Sequence, residues 1–189
     1  MTRTDPVDVT ASRALDAYLV LCARDGDRAA FEQLARRWDA RLQAHAWRLT
    51  GQRDLAAEAA QGAWIEIARG LGRLQAPEAF GAWAYRIVSR QCARRIGGLR
   101  HDRALAGALA AQPEPVADEP AAASDIDRLR AAIRTLPAAQ RAAVALFHFE
   151  DMSIAEVAVA LDVPAGTVKT RLMHARRALR AVLEGEDHA

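Results

Sequence analysis

The segment from Thr167 to Arg177 concentrates groups that can donate hydrogen bonds to a polyanion: Thr167, Lys169, Thr170, Arg171, His174, Arg176 and Arg177. Between residues 169 and 180 there are five bases and no acid. Hydroxyl, ammonium and guanidinium groups along one helix suit phosphate oxygens and base edges. A second concentration lies at Arg86, Arg90 and Arg94, spaced i, i+4 so that they share one helical stripe. Arg95, Arg100 and Arg103 extend it, giving six Arg against one Asp between residues 86 and 103. Such a stripe suits a phosphate backbone. No catalytic set accompanies either group. The five histidines, at 45, 101, 148, 174 and 188, lack metal-ligand spacing. Cys22 and Cys92 stand too far apart for a CxxC motif. No GxxxxGK[ST] or GxGxxG phosphate loop occurs. The chemistry on offer is binding, with no cofactor and no metal, and the chain is not read as an enzyme.

These residues need helices to position them, and the composition supplies helices. Alanine accounts for 45 of 189 residues, whereas aromatic residues make up 5%. Alanine favours helix and is depleted in strands, so the fold class is all-α. Periodicity predicts four helices before residue 100. The first runs from about Arg13 to Arg24, with Leu15, Tyr18, Leu19 and Cys22 inward. The second, capped by Asp27, carries Phe31, Leu34, Trp38, Leu42, Ala46 and Leu49, and Thr50-Gly51 ends it. The third spans about Asp54 to Arg69. A loop follows, and the fourth runs from about Glu78 to Ile96, where Gly97-Gly98 should stop it. Further on, Ile126 to Leu136, Ala138 to Phe149 and Ile154 to Leu161 read as three short helices. Pro164 opens the last one.

Charge divides the chain into three. Residues 1–103 carry a net +5, residues 104–127 a net −5 and residues 128–189 a net +2. The stretch 104–124 holds three of the seven prolines and little large aliphatic side chain, too little to offset its ordering entropy. It reads as an acidic, flexible Pro/Ala-rich linker between two small helical domains, 1–103 and 125–189. No run is apolar and long enough to span a membrane. The first twenty residues lack the apolar core of a signal peptide. A cytoplasmic protein without direct membrane insertion is expected.

From Ile154 to Leu172 the spacing is that of a helix-turn-helix. Val157, Leu161, Val163, Val168 and Leu172 fall on the shared core side, and Asp162 occupies the turn. The second helix of such a motif enters the major groove by its amino-terminal end. That end carries Thr167, Lys169, Thr170 and Arg171.

Leu136-Pro-Ala-Ala-Gln-Arg141, Ile154-Ala-Glu-Val-Ala158 and Gly166-Thr-Val-Lys-Thr-Arg-Leu172, followed by Ala175-Arg-Arg177, together resemble region four of bacterial sigma-70 family sigma factors, of the extracytoplasmic-function (ECF) type. Gly26-Asp27-Arg-Ala-Ala-Phe31, Leu55-Ala-Ala-Glu58-Ala-Ala-Gln61 and Trp83-Ala-Tyr-Arg-Ile87 look like region two, in the same order. The resemblance implies a protein that binds core RNA polymerase, at the beta-prime clamp and the beta flap, and directs transcription initiation at promoter DNA. It implies polymerase contacts at Glu58 and Gln61 in the third helix. The acids common in the family beside those positions are Ala57 and Ala60 here. It further implies minus-ten contacts from Arg86, Arg90, Arg94 and Arg95, with the loop from Gly70 to Glu78 capturing a flipped base. Minus-thirty-five contacts would come from Thr167, Lys169, Thr170, Arg171, His174, Arg176 and Arg177. Control by an anti-sigma factor is expected. A stand-alone helix-turn-helix regulator is the alternative. It accounts for the carboxy-terminal motif and leaves the amino-terminal half without a task.

Overall fold

A computed structural model describes residues 6–105 and 125–185, and the regular structure among them is entirely helical. Four long helices come first: α1 (Pro6–Arg24), α2 (Arg28–Thr50), α3 (Arg53–Gly70) and α4 (Phe80–Leu105). Two 3-10 turns, Leu71–Arg73 and Pro77–Ala79, shape the loop between α3 and α4. The second half holds α5 (Asp125–Thr135), α6 (Ala138–Val144), α7 (Ile154–Leu161) and α8 (Ala165–Gly185). A π-helical turn, Ala145–Phe149, continues α6. Residues 106–124, most of the expected linker, lie outside the described residues.

Local chemistry sets the boundaries. The Asp27 carboxylate accepts from the Ala30 N–H at 3.1 Å and starts α2. Gly51, at φ 69°, ends it in the left-handed conformation. Ser153 and Glu156 form a reciprocal capping box at the start of α7. Asp162 closes α7 at φ 53° and ψ 48°, so the turn expected there forms with aspartate in the left-handed region.

The core of the first half is built on α2, where Leu34, Trp38, Leu42 and Ala46 recur every fourth residue and are buried. Alanines 56, 59, 60 and 63 let α3 approach closely. Trp38 packs edge-on against Phe80 and Tyr85, with ring centroids 5.3 and 5.7 Å away. A Cβ on Gly81 would come 2.7 Å from the Trp38 ring, so only glycine fits where α4 starts beneath it. In the second half, Leu146, Val157, Val168, Leu172 and Ala175 are buried together between α6, α7 and α8. The two halves touch: α7 lies along α4 and α6 along α2, and their apolar cores are continuous.

Three expectations change. Helix α1 starts at Pro6 rather than near Arg13, and Leu15 and Tyr18, 37% and 62% exposed, are not inward. The helix is turned so that Asp16 faces Arg37 of α2 at 2.8 Å; Leu19 is inward as expected, and Val20 is buried beside it. Helix α4 runs through Gly97-Gly98 to Leu105 instead of stopping there. A helical glycine costs only ~1 kcal/mol relative to alanine, and the helix already formed upstream carries that cost. The loop from Gly70 to Glu78 is held by its 3-10 turns and by a hydrogen bond from Arg24 to the Leu74 carbonyl at 3.1 Å.

Candidate nucleic-acid interface

Helix α8 presents most of its cationic side chains to solvent. Lys169, Thr170, His174, Arg176 and Arg177 are exposed, and Thr167 and Arg171 are half-buried. The residues that orient them are Val168, Leu172 and Ala175, all buried against α6 and α7. The Thr170 hydroxyl donates to the Gly166 carbonyl at 3.0 Å, which occupies its one proton. Its lone pairs remain available to a donor on a base. Helix α8 begins at Ala165, directly after the Asp162-Val163-Pro164 turn, with Ala165 and Gly166 exposed.

The α4 stripe is more varied than its spacing suggests. Arg90 is exposed. Arg94 lies 3.7 Å from Glu66 of α3. Arg86 is bound by Asp162, with Nη2 to Oδ1 at 2.8 Å. Arg95 donates from Nη1 to the Glu58 carboxylate at 3.0 Å and from Nη2 to the Glu58 carbonyl at 2.9 Å. The structure therefore joins a residue expected at the minus-ten element to one expected at the polymerase. Arg95 staples α3 to α4, and Gly62 leaves room for it: a Cβ there would lie 3.2 Å from its guanidinium. Glu58 and Gln61 are exposed on the outer face of α3. Ala60, one of the positions where the family commonly has an acid, is only 2% exposed. A carboxylate there would be buried on the core side, away from any partner.

The tryptophans divide. Trp38 is buried, Trp64 donates its N–H to Asp39 at 2.9 Å, and Trp83 packs near Phe80. Trp47 is 43% exposed.

Sequence reasoning missed a charged seam between the halves. The Glu150 side chain is 8% exposed and lies 2.8 Å from Arg41, with Arg48 at 3.6 Å. Arg41 also stacks over the Trp38 ring at 4.2 Å. The Tyr85 hydroxyl is buried nearby without a hydrogen-bond partner. Burial first, and the Glu150 charge second, raise its pKa and keep it protonated. Arg13 pairs with Glu156 at 3.1 Å, and Arg141 donates to the Arg48 carbonyl at 2.6 Å. A cleft of about 460 Å³ opens on this seam beside Trp38, Tyr85 and Glu150. The partners are separated by up to 143 positions in sequence, so no local spacing announces them. No group of His, Cys, Asp and Glu among the described residues is arranged to hold a metal.

Comparison with known proteins gives the arrangement a context. The family model for Sigma-70 region 2 matches residues 34–101, and that for Sigma-70, region 4 matches residues 126–179. The chain is 36% identical over 168 residues to the ECF RNA polymerase sigma factor SigM of Mycobacterium tuberculosis, covering 89% of this chain and 84% of that protein. It is 28% identical over 182 residues to the RNA polymerase sigma-H factor of Pseudomonas aeruginosa, covering 89% and 94% respectively. Among solved structures it resembles the sigma factor RpoE in complex with the anti-sigma factor NepR from Bartonella quintana. There the TM-score is 0.66 at 24% identity, over 82% of this chain and 96% of that one.

Proposed function

We propose that this chain, which belongs to the ECF branch of the sigma-70 family, serves as a promoter-selecting subunit of bacterial RNA polymerase. It binds core polymerase, brings α8 to the minus-thirty-five element and α4 to the minus-ten element, and helps melt the latter. RNA synthesis itself belongs to the polymerase. The observation that carries this reading is the presence in one chain of both family regions, in family order, each with an exposed cationic helix.

The residue assignments rest on the family resemblance and on the exposure of these side chains. Lys169 and Arg171, flanked by Thr167 and Thr170, meet bases and phosphates, while His174, Arg176 and Arg177 follow the backbone. Arg90 and Arg94 track phosphates on the minus-ten side, with Arg86 joining them once it is free of Asp162. Glu58 and Gln61 face the polymerase clamp, and Arg95 holds Glu58 in place. The loop from Gly70 to Glu78 captures an unstacked base. No helix among the described residues is long and apolar enough to cross a membrane, which is consistent with work in the cytoplasm beside the polymerase. An anti-sigma protein controls the chain from outside, as the complex of its structural relative suggests.

Runoff transcription tests the role. Core polymerase plus this protein should yield discrete transcripts from genomic fragments that core alone does not give. A repressor-like footprint on DNA without polymerase, and no transcript with it, would point instead to a stand-alone regulator.

A further inference from the structure

Helix α8 exposes a large apolar side chain in the middle of its cations. Met173 is 56% exposed, whereas Val168, Leu172 and Ala175 of the same helix are buried. Residues three and four positions away are its neighbours on the helix surface. Those are Lys169, Thr170, Arg176 and Arg177, all exposed. No acid occurs between Asp162 and Glu184. Met173 therefore stands at the centre of a cationic face and takes no part in the core. The other methionine among the described residues, Met152, is buried. A thioether side chain is flexible and polarisable, so it moulds to an irregular apolar surface.

The hydroxyl beside it narrows what this face can meet. Thr170 gives its proton to the Gly166 carbonyl at 3.0 Å, so towards DNA it can only accept. The centre of the face thus offers an apolar surface and an acceptor. In the major groove thymine shows a C5-methyl group, adenine an N6 amino donor, and guanine two acceptors, N7 and O6. An A·T pair matches both offers. Guanine matches neither, because Met173 would displace water from its acceptors and return no hydrogen bond. Cβ atoms three positions apart on a helix lie ~5–6 Å from each other, and base pairs stack at ~3.4 Å. Met173 and Thr170 therefore address one pair or two adjacent pairs. Lys169, Arg176 and Arg177 suit the phosphates that flank the groove, and this charge complementarity names DNA as the occupant of the face. We infer that Met173 is a specificity-determining residue, which selects a thymine in the minus-thirty-five element by packing its thioether against the C5-methyl group. This inference rests on the proposed function. It adds an apolar contact to a face otherwise made of charges and hydroxyls.

The test uses core polymerase loaded with the full chain, on a promoter duplex identified by runoff transcription. Each thymine of the minus-thirty-five element is replaced in turn by deoxyuridine, which lacks only the methyl group. Wild type should lose affinity roughly threefold to fivefold at one thymine, the equivalent of one buried methyl group. Met173→Ala should bind the unmodified duplex more weakly by a similar factor and be indifferent to that replacement. Met173→Leu, still apolar, should keep the sensitivity. Circular dichroism of both variants should match wild type, because the side chain lies outside the core. The scan on wild type needs no variant to fold. Three results would each overturn the inference: an element without thymine, an element whose thymines never depend on their methyl groups, or a Met173→Ala variant that discriminates deoxyuridine as wild type does. In all three the wild-type transcript remains, and the proposed function stands. Absence of any promoter-specific transcript would overturn both.

Discussion

His45 is fully buried, with Nε2 3.0 Å from the Ser89 hydroxyl and Nδ1 without a partner. Burial first, and the neighbouring Arg48 charge second, lower its pKa from the usual 6.5 to about 3. The folded chain thus keeps His45 neutral, while the unfolded chain protonates it near its ordinary value. Between these values the unfolded state binds the extra proton, so this contribution is complete above pH 6.5 and is lost as pH falls towards 3. One proton limits the slope to about 1.4 kcal/mol per pH unit. Urea titrations between neutral pH and pH 4 should show a slope shallower in His45→Gln, which retains a partner for Ser89, than in wild type, by at most that amount. Equal slopes would mean that His45 does not govern acid stability. On the DNA side, Lys169→Ala and Arg171→Ala should each weaken binding to a minus-thirty-five duplex by ~1–3 kcal/mol, read by fluorescence anisotropy. Wild-type binding by both variants would remove α8 from the groove. Thr170→Ala should cost less, because its hydroxyl proton is already given to Gly166.

Helix boundaries were legible wherever one or two side chains decide them within a few positions. Asp27, Gly51, Ser153 and Asp162 cap or turn the chain as their chemistry predicts. Features that depend on a distant element were not. The glycine pair at 97 and 98 has the local signature of a stop, yet α4 continues past it. The inward face of α1 is set by Asp16 meeting Arg37, across 21 positions. The seam at Glu150 involves a residue 109 positions away. For the candidate site, the α8 cations stand exposed as their stripe implied, whereas the Arg86 and Arg95 contacts could not be read from α4 alone. Gly81 shows how tightly α4 is placed, since a methyl group there would strike Trp38 at 2.7 Å. Gly81→Ala should therefore destabilise the first half by ~1–3 kcal/mol through overpacking. Thermal unfolding should report a midpoint lower by about 2–4 °C per kcal/mol. An unchanged midpoint would mean that α4 slides past Trp38 without cost, and that its start is less constrained than the contact implies.

At the scale of the whole molecule, the question is whether the two halves stand separately once their contact is broken. The first half has its own apolar interior, built from Leu34, Trp38, Leu42, Ile67, Phe80, Tyr85 and Val88 on α2, α3 and α4. None of these residues comes from beyond Leu105. The second half depends on α8, whose Leu172 is 1% exposed against its neighbours. A carboxylate at that position would be buried without a partner, and removing it from water costs several kcal/mol. Leu172→Asp should therefore melt α5 to α8 and leave α1 to α4 folded. Circular dichroism would show partial loss of helix, and trypsin would leave a protected fragment ending near Arg100 or Arg103. The remaining transition should fall a few degrees below that of wild type. The cause is specific: Arg41, Arg48 and Arg86 lose Glu150 and Asp162, and the faces of α2 and α4 that α6 and α7 cover return to water. A single cooperative loss of all helicity would show that the continuous core joining the halves matters more than the separate interiors. In that case the closed chain would be one folding unit, and opening at a promoter would need energy from the polymerase on the scale of unfolding rather than of a few ion pairs.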